Sequence, residues 1–279
     1  MADPVSIALL FPELLGTYGD GGNATVMARR LRWRGIPAEV VEVATGEPVP
    51  TSCDIYLMGG GEDGPQALAV RELEASGALP RAIDAGAAVM AVCAGYQVLG
   101  NSFLGPDGTP HAGLGLLDCS TARGKGPRRV GELVVQADPA LGLPPLTGYE
   151  NHAGVTTLGP GARPLGYVLV GHGNDGGDGS EGVVNGHVLG TYLHGPVLAR
   201  NPALADMVLS WVVGPLDPLD DAEVDALRAE RMAAARRSTP VAHWVRRVAG
   251  MARLRIPRTP AGSGEDGAQG RTVGDQGGP

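Results

Sequence analysis

Ala88-Val89-Met90-Ala91-Val92-Cys93-Ala94-Gly95-Tyr96-Gln97-Val98-Leu99-Gly100 is an unbroken run of small and apolar residues that passes, without a loop, into a helical pattern at a cysteine. Its first part has the composition of a strand buried on both faces of a parallel sheet. Ala91 and Gly95 stand two positions before and after Cys93. A strained strand-to-helix turn needs small residues there, because the turn crowds its neighbours and leaves the central side chain at the carboxyl end of the sheet. Amides at a helix start also lower a thiol pKa toward neutrality. A small buried core position has the same local appearance. The pattern alone therefore leaves nucleophile and core cysteine both open.

The surroundings fit a sheet built from βαβ units. Ile7 to Phe11, Ala38 to Val43, Ile55 to Met58 and Ala87 to Val92 read as strands; Asn23 to Arg34, about Pro65 to Ala75 and Pro80 to Ala85 read as helices. After Gly100 the pattern shifts to strand-like stretches at Gly131 to Gln136, Leu165 to Gly171 and Gly182 to Leu193, joined by Gly-rich loops, which suggests an antiparallel extension. Asp206 to Val213 reads as a closing helix, followed by helical composition over Asp220 to Arg237 and an Arg-rich, acid-free stretch from Val241 to Arg255. The expected division is a domain over 1–214, a helical extension over 215–256 and a disordered tail over 257–279. The Arg-rich helix has the composition to touch an acidic partner or anionic lipid, although a solvated or core-covering face accounts for it as well.

Composition narrows the function classes. With 279 residues and 43% hydrophobic side chains the chain can bury a real core. A net charge of −8, with Lys125 the only lysine, argues against a nucleic-acid role. Cys53, Cys93 and Cys119 lack paired spacing, so neither a disulfide framework nor a cysteine-based metal site is expected. Met1-Ala2-Asp3-Pro4 lacks the basic start of a signal peptide, and no apolar run reaches the roughly 18 residues of a membrane span. The expectation is a reduced, cytoplasmic protein.

A cysteine nucleophile needs a base. Of six histidines, His194 ends the run Val188 to Leu193 and precedes Gly195-Pro196, so it sits at a strand end beside a turn. His111 and His172 lie in Gly-rich loops, His187 in a turn and His243 in the basic tail; His152 reads as structural.

Several motifs in order then carry a resemblance: Leu15-Gly16-Thr17-Tyr18-Gly19-Asp20-Gly21-Gly22-Asn23, Met58-Gly59-Gly60-Gly61-Glu62-Asp63, Cys93-Ala94-Gly95-Tyr96-Gln97, Gly148-Tyr149-Glu150-Asn151-His152-Ala153-Gly154, and Gly190 to Pro196. Over about residues 5–213 the chain resembles the CobB/CobQ-like class I glutamine amidotransferases, and within them the glutaminase subunits that serve a MurT-like Mur ligase. The resemblance implies an α/β fold, mainly a parallel sheet flanked by helices with an antiparallel extension, plus the helical C-terminal extension. It implies hydrolysis of L-glutamine and delivery of ammonia to a ligase that amidates the D-glutamate α-carboxyl of lipid II to D-isoglutamine. No cofactor is implied in this chain; ATP and magnesium belong to the ligase partner, and the lipid substrate would bring the complex to the inner face of the membrane. An amidotransferase for another acceptor such as a cobyrinic acid, and a catalytically silent interaction subunit, are the alternatives.

Carried over residue by residue, the resemblance makes Cys93 the nucleophile and His194 the general base and acid. Backbone amides of Ala94 and of Gly60 and Gly61 would hold the oxyanion, and Gln97 and Asn151 would line the glutamine pocket. Arg128 would bind the α-carboxylate of glutamine, with Arg129 beside it leaving the register open. One departure stands out. The wider class places Glu two residues after the histidine, and this chain has Pro196. The expectation is that the orienting carboxylate is absent, so that a partner subunit supplies an acid or Cys93 and His194 act as a dyad.

Overall fold

The computed structural model describes residues 3–16, 19–61, 63–105 and 107–238. Its first half follows the predicted alternation: β1 (Val5–Leu10), α1 (Pro12–Leu15), α2 (Gly22–Trp33), β2 (Ala38–Val43), β3 (Ile55–Met58), α3 (Asp63–Ser76), α4 (Ala78–Asp84), β4 (Ala88–Val92) and α5 (Ala94–Leu99). Shorter strands follow: β5 (Ser102–Leu104), β6 (Pro110–Ala112), β7 (Cys119–Arg123), β8 (Arg129–Ala137), β9 (Leu146–His152), β10 (Gly154–Leu158), β11 (Gly166–Val170), β12 (Ser180–Glu181), β13 (Val183–Asn185) and β14 (Val188–Thr191). Helices α6 (Val197–Arg200), α7 (Pro202–Val213) and α8 (Ala222–Ser238) close the described chain.

The main sheet has six strands in the order β13-β14-β4-β3-β1-β2, all pairings parallel except β13 with β14. Every residue of β4 is buried, as its uninterrupted apolar composition requires. Register matters for function: Met58 pairs with Ala91, and Thr191 pairs with Val92. Three strands therefore end side by side, and the segments leaving them (Gly59 to Gly61, Cys93, and Tyr192 to His194) emerge at one edge.

Two four-stranded sheets stand beyond that edge, ordered β10-β7-β5-β6 and β12-β11-β8-β9. They contain strands that the sequence pattern missed, among them β7, β9 and β10, where Gly, Thr and charged residues dilute the apolar signal. The stretch Gly182 to Leu193, read as one strand, is a hairpin: β13 and β14 are antiparallel about Gly186, and Asn185 pairs with Val188.

Two glycines admit close contacts. A Cβ on Gly95 would lie 2.7 Å from the Cβ of Met58 and 3.0 Å from the Gly59 carbonyl oxygen, so α5 sits directly on the end of β3. A Cβ on Gly190 would lie 2.1 Å from a ring carbon of the buried Tyr96. Gly190→Ala is accordingly expected to lower stability by about 1–3 kcal/mol, the usual cost of overpacking a core. A chemical-denaturation midpoint unchanged from that of the parent chain would refute this.

The expected C-terminal helix exists as α8 over Ala222–Ser238. It is a cover: Ala235 and Met232 pack on Val134, Leu169 and Val170 of β8 and β11. Its approach is anchored by the buried Arg30 of α2, whose guanidinium binds both oxygens of Asp206 on α7 and both oxygens of Asp221. The Arg-rich stretch from Val241 to Arg255 and the tail from Pro257 lie outside the described residues.

Candidate active site

Cys93 occupies the junction of β4 and α5 with φ 52° and ψ −104°, a conformation rare for a residue with a side chain. Hydrogen bonds on both sides hold it. The Cys93 amide donates to the Thr191 carbonyl (2.8 Å), and the Gly95 amide donates to the Gly59 carbonyl (3.1 Å). The turn read from Ala91, Cys93 and Gly95 is thus present, and the thiol lies 4.0 Å from the Asn151 carbonyl oxygen.

His194 follows the neighbouring strand. Its backbone pairs with Tyr149 of β9, amide to carbonyl in both directions, at 2.8 and 3.1 Å. The strand end is fixed a second time by Glu181, whose buried carboxyl accepts hydrogen bonds from the Thr191 hydroxyl and the Tyr192 amide.

Asp20 corrects the expectation of a missing carboxylate. It lies in the turn between Gly19 and Gly21, just before α2, and is buried. Its Oδ2 accepts a hydrogen bond from Nδ1 of His194 at 2.9 Å and another from the Gly60 amide at 3.0 Å. A carboxylate only accepts, so Nδ1 carries the hydrogen and Nε2 is left as the basic nitrogen. The acid comes from 174 residues upstream of the histidine rather than two residues after it. The sequence held a signal: an aspartate flanked by glycines shortly after a strand whose carboxyl end shares this edge.

The same contact revises the oxyanion assignment. The Gly60 amide is committed to Asp20, whereas Gly61 and Ala94 line the cavity that opens beside Cys93. That cavity is bounded further by Gln66, Gln97, Thr121, Arg123, Arg128 and His152. Its wall combines the main-sheet edge with both smaller sheets.

Arg128, not Arg129, reaches the cavity. Arg129 turns to the carboxylate of Asp175 and the Gly154 carbonyl. Arg128 is braced by Asn151, whose side-chain oxygen accepts from Nε and whose carbonyl accepts from Nη2 (3.0 Å). Asn151 is therefore a support for Arg128, and its carbonyl is the group 4.0 Å from the Cys93 thiol. Gln97 lines the cavity, and its carboxamide is anchored in the wall: Oε1 accepts from Gln66 (2.6 Å), and Nε2 donates to the Tyr192 hydroxyl (3.0 Å). One N–H and one lone pair of this carboxamide are left for a substrate.

The other described histidines have structural places. His152 stacks on Tyr192 with ring centres 3.8 Å apart and donates from Nδ1 to the Gly154 carbonyl. His172 binds Glu150, His187 stacks on Trp211 and His111 stacks on Phe103. Burial pushes the Glu150 carboxyl upward, but hydrogen bonds from His152, His172 and the Gly173 amide outweigh that and hold it below the ordinary range.

Glu181 goes the other way, because burial raises its pKa to about 7 from an ordinary 4.5. Between those values the folded chain keeps a proton that the unfolded chain has released, so this group's stabilising contribution is full below pH 4.5 and is lost as pH rises to 7. Glu181→Gln is expected to remove that pH dependence, about 3 kcal/mol. Equal slopes of unfolding free energy against pH in parent and variant would contradict it.

Comparison with known proteins was made against this geometry. Residues 6–202 match the CobB/CobQ-like glutamine amidotransferase domain. The lipid II isoglutaminyl synthase (glutamine-hydrolyzing) subunit GatD of Staphylococcus aureus (strain N315) is 40% identical over 199 residues, covering 71% of this chain and 79% of that protein. The subunit of the same name from Streptococcus pneumoniae (strain ATCC BAA-255 / R6) is 32% identical over 203 residues, covering 72% and 77%. A solved structure described as a glutamine amidotransferase covers 74% of this chain and 98% of its own, with a TM-score of 0.50 and 21% identity, and speaks to the fold alone.

Proposed function

Because the chain belongs to the CobB/CobQ-like glutamine amidotransferase family, we propose that it is the glutamine-hydrolysing subunit of a lipid II isoglutaminyl synthase. In this reading it releases ammonia from L-glutamine and passes it to a MurT-like ligase subunit. The ligase holds ATP and magnesium, activates the α-carboxyl of D-glutamate in lipid II, and forms D-isoglutamine for peptidoglycan synthesis. The complex works at the cytoplasmic face of the membrane, where lipid II is made; among the described residues no helix is long and apolar enough to cross it. The observation that carries the reading is Cys93 held in a strained turn at the end of β4, with the adjacent strand β14 leading to a histidine already paired with a buried aspartate.

The chemistry follows from those groups. His194 takes the thiol proton through Nε2 as Cys93 Sγ attacks the carboxamide carbon of glutamine. Asp20 keeps the imidazole in the required tautomer and stabilises the imidazolium. The amides of Ala94 and Gly61 face the developing oxyanion. Collapse of the tetrahedral intermediate breaks the C–N bond, His194 returns its proton to the leaving ammonia, and a γ-glutamyl thioester remains. Water, deprotonated by His194, hydrolyses the thioester to glutamate and restores the thiol. Arg128 holds the substrate α-carboxylate at the far end of the cavity.

Purified chain, with and without a co-expressed MurT-like ligase, is to be assayed for ammonia release from glutamine and for conversion of the lipid II carboxylate to a carboxamide by mass spectrometry. Both are expected from the complex. Ammonia release with amidation of a different acceptor overturns the lipid II assignment, and no ammonia release overturns the glutaminase reading itself.

A further inference from the structure

Two buried acceptors of residues lining the cavity, Oε1 of Gln66 and Nε2 of His152, have no hydrogen-bond partner among the described residues; the first lies next to the nucleophile. Gln66, on α3, is 1% exposed and lines the cavity together with Cys93 and Ala94. Its Nε2 donates to Gln97 Oε1 at 2.6 Å and, at 3.4 Å, lies against the Ala94 carbonyl oxygen. Both neighbours are acceptors, which fixes the nitrogen end of the carboxamide. From Gln97 the hydrogen bonds run to the Tyr192 hydroxyl, to Thr156 (2.7 Å) and to Thr121 (2.8 Å). Along this relay each side-chain polar atom has a partner except Oε1 of Gln66, which is buried with none among the described residues. Such an orphan is uncommon and calls for a partner from outside the fold.

We propose that Gln66 Oε1 accepts an N–H hydrogen bond from the carboxamide of the bound glutamine and is a specificity-determining residue of the hydrolysis. The inference rests on the glutaminase reading above. Gln66 adjoins Ala94, next to the nucleophile, so it serves the reacting end of the substrate, whereas Arg128 stands with the loop before β8. A carboxamide oxygen is a neutral acceptor, matched to an N–H of a neutral substrate carboxamide. The same oxygen disfavours glutamate, whose γ-carboxylate would meet it oxygen to oxygen.

The test compares L-glutamine with L-glutamate γ-methyl ester, which forms the same thioester on Cys93 with loss of methanol but has no carboxamide N–H. In the full chain with its ligase subunit present, Gln66→Met is expected to lower kcat/KM for glutamine about tenfold or more, the effect of one lost hydrogen bond, and to leave the ester nearly unchanged. Gln66→Glu, which retains an acceptor, is expected to recover part of the glutamine preference. Gln66→Leu supplies the same comparison where the Met variant folds poorly. Equal loss on both substrates, as repacking or an α-ammonium contact would give, overturns the proposal, as does no loss on either. A parent chain that cleaves neither substrate instead refutes the glutaminase reading.

Discussion

Cys93→Ser is expected to reduce ammonia release from glutamine by about 10³-fold or more, with the unfolding midpoint essentially retained. Removal of a catalytic nucleophile has effects of at least that size, and serine is nearly isosteric with cysteine in the buried turn. A chloroketone analogue of glutamine is expected to label the parent chain at Cys93 alone. Cys119 is buried with its thiol pushed up to about 11, and burial pushes the Cys53 thiol up as well, so neither supplies thiolate near neutral pH. Labelling at Cys53 or Cys119 in preference to Cys93, or activity retained in the serine variant, would remove Cys93 from the chemistry.

Asp20→Asn should lower kcat by about 10²–10⁴-fold with KM for glutamine little changed. The substitution keeps the shape of the side chain and removes the charge that stabilises the imidazolium and selects its tautomer. Asp20 is absent from the cavity lining, so substrate binding has no direct reason to change. A kcat within about threefold of the parent value would mean that the imidazole is oriented by another group, such as an acid from the ligase subunit.

Local features were the legible ones. The turn at Cys93 could be read because a strand buried on both faces and a crowded strand-to-helix junction restrict residue choice over a dozen consecutive positions, from Ala88 to Gly100. The helices α2, α3 and α7 announced themselves by composition. What stayed hidden depends on distant pairing. Asp20 acquires its role only when the loop after β1 meets the segment after β14, and no spacing rule anticipates that. Strands β7, β9 and β10 mix glycine and polar residues with few apolar ones, so their pairing partners define them more than their own residues do. The orientation of a carboxamide, as in Gln66 and Gln97, is likewise decided by neighbours from other elements. Arg128 and Arg129, equivalent in sequence, were separated by Asp175, which draws one of them away from the cavity.

Asp20 binds two things at once, the Gly60 amide and the His194 imidazole. The glycine loop and the histidine proposed as the base thus share this support, in addition to the backbone pairing of His194 with Tyr149 and of Gly59 with Gly95. A shift of the turn at Gly19 to Gly21 would therefore move the glycine loop and the imidazole at once, so substitutions in that turn are felt at both without touching the thiol or the cavity lining.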